Sequence, residues 1–154
     1  MKDIRKYLLV AVVAMVALST TSCNEEYTTY TGPEYVMFAD SLSTNMVLAD
    51  GESFAVKVAS TIKCDYDRTF GVEVVDKGSN AIEGVHYTLE SNSVTIPAGE
   101  MAAEVRVRGN YEKIEAADSL GFVLRLVLPE QLEWDLYPNG SQTKVVMYKS
   151  CPFD

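Results

Sequence analysis

Between Tyr35 and Tyr148 apolar side chains recur at every second position, in short runs broken by turn residues. Ser53–Ser60 places Phe54, Val56 and Val58 on one face and Ala55, Lys57 and Ala59 on the other. A period of two marks a half-buried strand. Thr69–Val75 repeats it, with Phe70, Val72 and Val74 inward and Glu73 outward. Glu100–Arg108 sets Met101, Ala103, Val105 and Val107 against Ala102, Glu104, Arg106 and Arg108. A charged face must meet water, so this sheet is covered on one side only, the habit of antiparallel sheets in a sandwich.

Weaker patterns complete the set. Tyr35–Ala39, Tyr87 with Leu89, Val94 with Ile96, and Lys144–Tyr148 read as short strands. Phe122, Leu124, Leu126 and Leu128 line one face of the most apolar strand, with Arg125 opposite. Turns are expected at 76–80, 91–92, 97–99 and 138–140, where Gly, Pro, Asn and Asp gather. Residues 41–51 read as a polar connection, and 109–120 as another holding one helical turn near Ile114. Trp134, Leu136 and Tyr137 are expected in a loop. Seven or eight short strands and no long helix predict an all-β chain, an antiparallel β-sandwich over 35–149. A domain of this size buries roughly two-thirds of the surface its unfolded chain exposes, enough for a core without metal or disulfide.

The first residues follow another logic. Lys2, Arg5 and Lys6 precede an unbroken apolar run from Tyr7 to Leu18, and small residues then lead to Cys23. That is the pattern of a secretory signal peptide. A spanning helix needs about 20 apolar residues, more than this run supplies. Thr20-Thr-Ser-Cys23 resembles a relaxed bacterial lipobox, with Thr20 where Leu or Val is usual. A cysteine thiol can carry a diacylglycerol thioether, and each buried acyl CH₂ contributes about 0.8 kcal/mol of anchoring. The expected organisation is a lipoprotein signal peptide over 1–22, a lipidated tether over 23–34 with Cys23 as the attachment point, and the sandwich. A tail follows over 150–154. Asn24-Glu25-Glu26 resembles the acidic signal by which Gram-negative anaerobes display lipoproteins on the outer face of the outer membrane. The expected location is therefore the outer membrane, facing the cell surface.

Charge narrows the partners. Removing the leader takes away three bases and one acid, so the net charge moves from −9 to −11. Such a surface repels phosphates and excludes nucleic acid as a partner. It also repels anionic headgroups, leaving the acyl chains as the membrane contact. The envelope is oxidising enough for a disulfide between Cys64 and Cys151. Two independent, partly buried thiols are the alternative.

Glu83-Gly-Val-His-Tyr87, then Val94-Thr-Ile-Pro-Ala-Gly-Glu100, then Val105 and Val107, then Phe122-Val-Leu-Arg-Leu126 resembles the Calx-beta family. It also resembles that family's relatives in bacterial surface lipoproteins, as the N-terminal module of a two-domain family. The likeness spans Tyr35 to Tyr148. It implies an immunoglobulin-like Greek-key sandwich, a role in adhesion or ligand display, and a junction to a second domain near 150–154. Calcium-sensing members hold Ca²⁺ with clustered acids. Here Glu83 matches one acidic position, His86 stands where Asp is usual, and Gly109-Asn-Tyr-Glu-Lys113 replaces an acidic run. Calcium takes six to eight oxygen ligands, so no calcium cofactor is expected.

Catalytic chemistry finds little footing. His86 is the only histidine, so neither a zinc cluster nor paired imidazoles can form. Asp65 with Asp67, or Glu112 with Glu115, read as solvated loop charge, since a glycosidase pair needs a cleft and one raised pKa. No catalytic residue is assigned, and a hydrolase is the most distant reading. Trp134 and Tyr137 beside Asp135 and Asn139 are the candidate ligand contacts, because sugar C–H faces stack on aromatic rings. Trp134 as a plug at the sandwich end is the competing reading, since tryptophan is mostly buried. The expectation is a non-enzymatic binding, adhesion or spacer module. Its partner is a glycan or an envelope protein, the alternative being a carbohydrate-binding lipoprotein of a glycan-uptake system.

Overall fold

The computed structural model describes residues 30–116, 118–130 and 133–150. Ten strands follow one another: β1 (Tyr35–Phe38), β2 (Leu42–Val47), β3 (Ser53–Ser60), β4 (Arg68–Val75) and β5 (Tyr87–Leu89). Then come β6 (Ser93–Ile96), β7 (Ala102–Gly109), β8 (Ser119–Val127), β9 (Asp135–Leu136) and β10 (Gln142–Lys149). They form two five-stranded sheets, ordered β5-β7-β3-β1-β9 and β2-β10-β8-β4-β6.

The alternating residues face each other across the gap. Val56, Val58, Val105 and Val107 come from the first sheet, and Phe70, Val72, Phe122, Leu124, Leu126, Val145 and Met147 from the second. Burying each of the larger side chains contributes roughly 1.5–3 kcal/mol. The opposite faces carry charge, and Arg125 reaches Glu73 across the β4–β8 ladder at 2.6 Å. Among the described residues no helix is long and apolar enough to cross a membrane.

Two expectations are corrected. The segment 41–51 is not simply a connection, because Leu42–Val47 forms β2, paired in parallel with β10 along six residues. Only Val47 of β2 is buried. An edge strand held by its backbone ladder needs no hydrophobic period, so the pattern hides it. The Trp134 segment is likewise not a plain loop. Asp135 and Leu136 form β9, parallel to Tyr35 and Val36. These two edge pairs raise the strand count above seven or eight and make the sheets mixed rather than purely antiparallel. The helical turn falls at Tyr111–Lys113, just before Ile114, which is buried.

Chain crossing at Glu90–Asn92 shapes one flank. β5 lies at the edge of one sheet and β6 at the edge of the other. β6 covers only Arg68–Gly71 of β4. Among the described residues no strand lies beyond the remaining half of β4, Val72–Val75.

Candidate functional site

The two aromatic candidates are pulled apart. Trp134 is 4% exposed and packs edge-on to Phe70 at 5.9 Å. Its face is turned to Arg68 inside the core, so it offers no platform to a sugar. Tyr137 is 42% exposed, and its ring partner is Tyr35 at 5.6 Å. The flat Trp134–Tyr137 patch is therefore not formed.

The cysteines are treated unequally by the structure. Cys23 and Cys151 lie outside the described residues, as does the leader. Cys64 is half-buried beside the Pro97–Gly99 turn, where its carbonyl accepts the Gly99 amide. Ser150, next to Cys151 in the chain, is held by Val47 and Tyr111. That is the Gly109 end of β7, whereas Cys64 sits at its Ala102 end. Cys151 itself lies outside the described residues, and the expected pairing with it.

His86 is occupied structurally. Its Nδ1 accepts the Ile82 amide at 2.9 Å, while its own amide donates to Ile82 O and its carbonyl accepts from Asn110. Gly84 completes this loop at φ 78°, a conformation that favours glycine. The nitrogen facing the loop is already used, and Glu83 is exposed. Among the described residues no three His, Cys, Asp or Glu side chains gather as metal ligands. Calcium does not fit this loop.

The cavity that sequence reasoning missed lies on the open flank. It has a volume of about 690 Å³ and sits between the upper half of β4 and β5, with the 76–83 turn above. Val72, Val74, Ala81 and Leu89 give it apolar walls, and Glu73, Asp76, Asn80, Glu83 and Asn92 a polar rim. Tyr87 lies at its floor, stacked on Phe122 at 3.8 Å. Its hydroxyl is buried and has no hydrogen-bond partner among the described residues. Burial, then the carboxylates of Glu83 and Asp76, push its pKa up to about 12. The signal for this site was faint, because Asp76–Asn80 reads only as a turn and Val74 only as core.

The backbone is also open here. The Val72 amide donates to Asn92 O. Directions alternate along a strand, so the N–H and C=O of Val74 point the same way, past the end of β6. Across the cavity Glu90 donates to Arg106 on β7. By the same alternation Leu89 turns its backbone polar groups to the flank.

Solved structures share this architecture. The apo-form CBD1 domain of Calx superposes with a TM-score of 0.61 at 16% identity, covering 78% of this chain and 100% of that one. The fold is Calx-beta-like. A two-domain protein of unknown function from Bacteroides fragilis matches at TM-score 0.54 and 14% identity, over 77% of this chain and 46% of its own. A proposed carbohydrate-binding protein from Bacteroides ovatus matches at 0.57 and 12%, over 76% of this chain and 37% of its own. This Calx-beta-like chain thus spans less than half of each Bacteroides protein. No family model and no curated protein matches its sequence. These neighbours are binding-type domains or proteins of unknown function.

Proposed function

We propose that the protein is a non-enzymatic lipoprotein, anchored through acylated Cys23 in the outer membrane and facing the cell surface, whose sandwich presents a binding site. The observation that carries the binding reading is the 690 Å³ cavity between β4 and β5, with apolar walls and a polar rim. Binding pockets combine such walls with a few polar groups that fix orientation. The leader pattern and Cys23 support the anchor.

A carbohydrate ligand is the second reading. It is favoured by the structural likeness to the Bacteroides ovatus protein proposed to bind carbohydrate. The amide and carboxylate rim could hydrogen-bond sugar hydroxyls, but Trp134 supplies no stacking face.

Membrane fractionation tests the anchor. Wild type should incorporate labelled palmitate and sediment with the outer membrane, and Cys23→Ala should do neither. Unchanged labelling and fractionation in that variant would overturn the lipoprotein claim. Protease treatment of whole cells then reads the face: cleavage without lysis is expected.

A further inference from the structure

The polar groups of the flank are arranged as the end of an unfinished ladder. β6 pairs with β4 from Arg68 to Gly71 and then leaves at Asn92. Directly in line with β6, Val74 presents an N–H and a C=O that no described residue pairs. We propose that this gap is a docking site for an extended peptide segment of a partner protein, which adds beside Val72–Val75 in the line of β6. The inference rests on the binding reading above and names its ligand class.

The geometry specifies the segment. Strand addition takes its affinity from main-chain hydrogen bonds and its specificity from alternate side chains. Side chains opposite Val74 would enter the cavity and meet Val72, Val74 and Leu89, so they should be small and apolar. The intervening side chains would lie on the outer face beside Glu73, with Asp76 and Glu83 at the mouth. Opposite charges across a strand pair stabilise it. The segment therefore alternates small apolar and basic residues. A glycan is less well served, because the cavity's aromatic ring, Tyr87, is 1% exposed.

Amide NMR of the mature chain provides the test. The probes are the synthetic peptide Lys-Val-Lys-Val-Lys, its rearrangement Lys-Lys-Lys-Val-Val, its charge reversal Glu-Val-Glu-Val-Glu, and the neutral oligosaccharide maltohexaose. The alternating basic peptide should shift Val74 and Leu89, and both control peptides should bind about tenfold more weakly. Asp76→Lys with Glu83→Lys should weaken it by about tenfold too, while the melting temperature shows the fold intact. Equal binding of the rearranged peptide, or no shift at Val74, would overturn the inference. Shifts at the cavity from maltohexaose alone would overturn it yet leave the binding reading standing. Shifts from no probe would count against both.

Discussion

The guanidinium carbon of Arg68 lies 5.6 Å from the centre of the Trp134 ring, and both residues are buried. Among the described residues Arg68 meets no carboxylate. It donates instead to Ser60 Oγ and Ile62 O on one side and to Pro97 O and Glu100 O on the other. One cation thereby joins the end of β3, the turn between β6 and β7, and the segment before β9. Arg68→Met would remove all four bonds and leave Glu100 O without its donor, although Pro97 O keeps the Glu100 amide and Ile62 O keeps the Ser60 hydroxyl, and should cost on the order of 3 kcal/mol in urea denaturation. Arg68→Lys should recover only part, because an ammonium offers three donors and no planar fork. Stability within about 0.5 kcal/mol of wild type in both variants would contradict this role.

Trp134 and Tyr137 should respond oppositely to truncation. Trp134→Ala removes a buried ring from against Phe70 and should cost about 3–5 kcal/mol. Tyr137→Ala exposes little new surface and loses one edge contact with Tyr35, so about 1 kcal/mol or less is expected. Thermal melts of the two variants measure the difference directly. Equal, small losses would return Trp134 to the surface.

The sequence showed the strands whose burial alternates. β3, β4, β7, β8 and β10 were legible because each fills one inner face. β2 and β9 were not, since β2 buries only Val47 and β9 is two residues long. Arg68 was not singled out, because a buried cation held by carbonyls leaves no mark in local sequence. The cavity was missed for a similar reason. It exists because β6 stops short of Val72, and the length of a pairing is a property of two segments that neither shows alone. His86 was read as a departure from the Calx-beta pattern, but its task in the loop was not visible.

That task can be tested by choice of replacement. His86→Leu deletes the acceptor for the Ile82 amide and should cost about 1 kcal/mol. A carboxylate can accept the same bond, so His86→Asp should stay within about 0.5 kcal/mol of wild type. Hydrogen exchange at Ile82 should quicken only in His86→Leu. Identical behaviour of the two variants would remove the hydrogen bond from the account.

Tyr87 predicts an alkaline loss of stability. Its hydroxyl holds its proton to about pH 12 when folded, against 10.0 in the free side chain. Between those values the folded state binds more protons than the unfolded one, so stability falls as pH rises. The contribution is fully present below pH 10 and disappears through pH 12, on the order of 3 kcal/mol in all. Tyr87→Phe keeps the Phe122 stack and removes the ionisation. Wild type should therefore lose stability relative to Tyr87→Phe as pH rises from 10 to 12. A constant difference across that window would show that Tyr87 is not the group responsible.

The central claim is that the flank beside β4 is open and ready to pair. Hydrogen–deuterium exchange of single amides in the free mature chain tests it most directly. Val72, bonded to Asn92 O, should exchange slowly, and Val74 should exchange on the order of a hundredfold faster. Protection of Val74 equal to that of Val72 would mean that the edge is already closed, and the proposed docking site would fall with it.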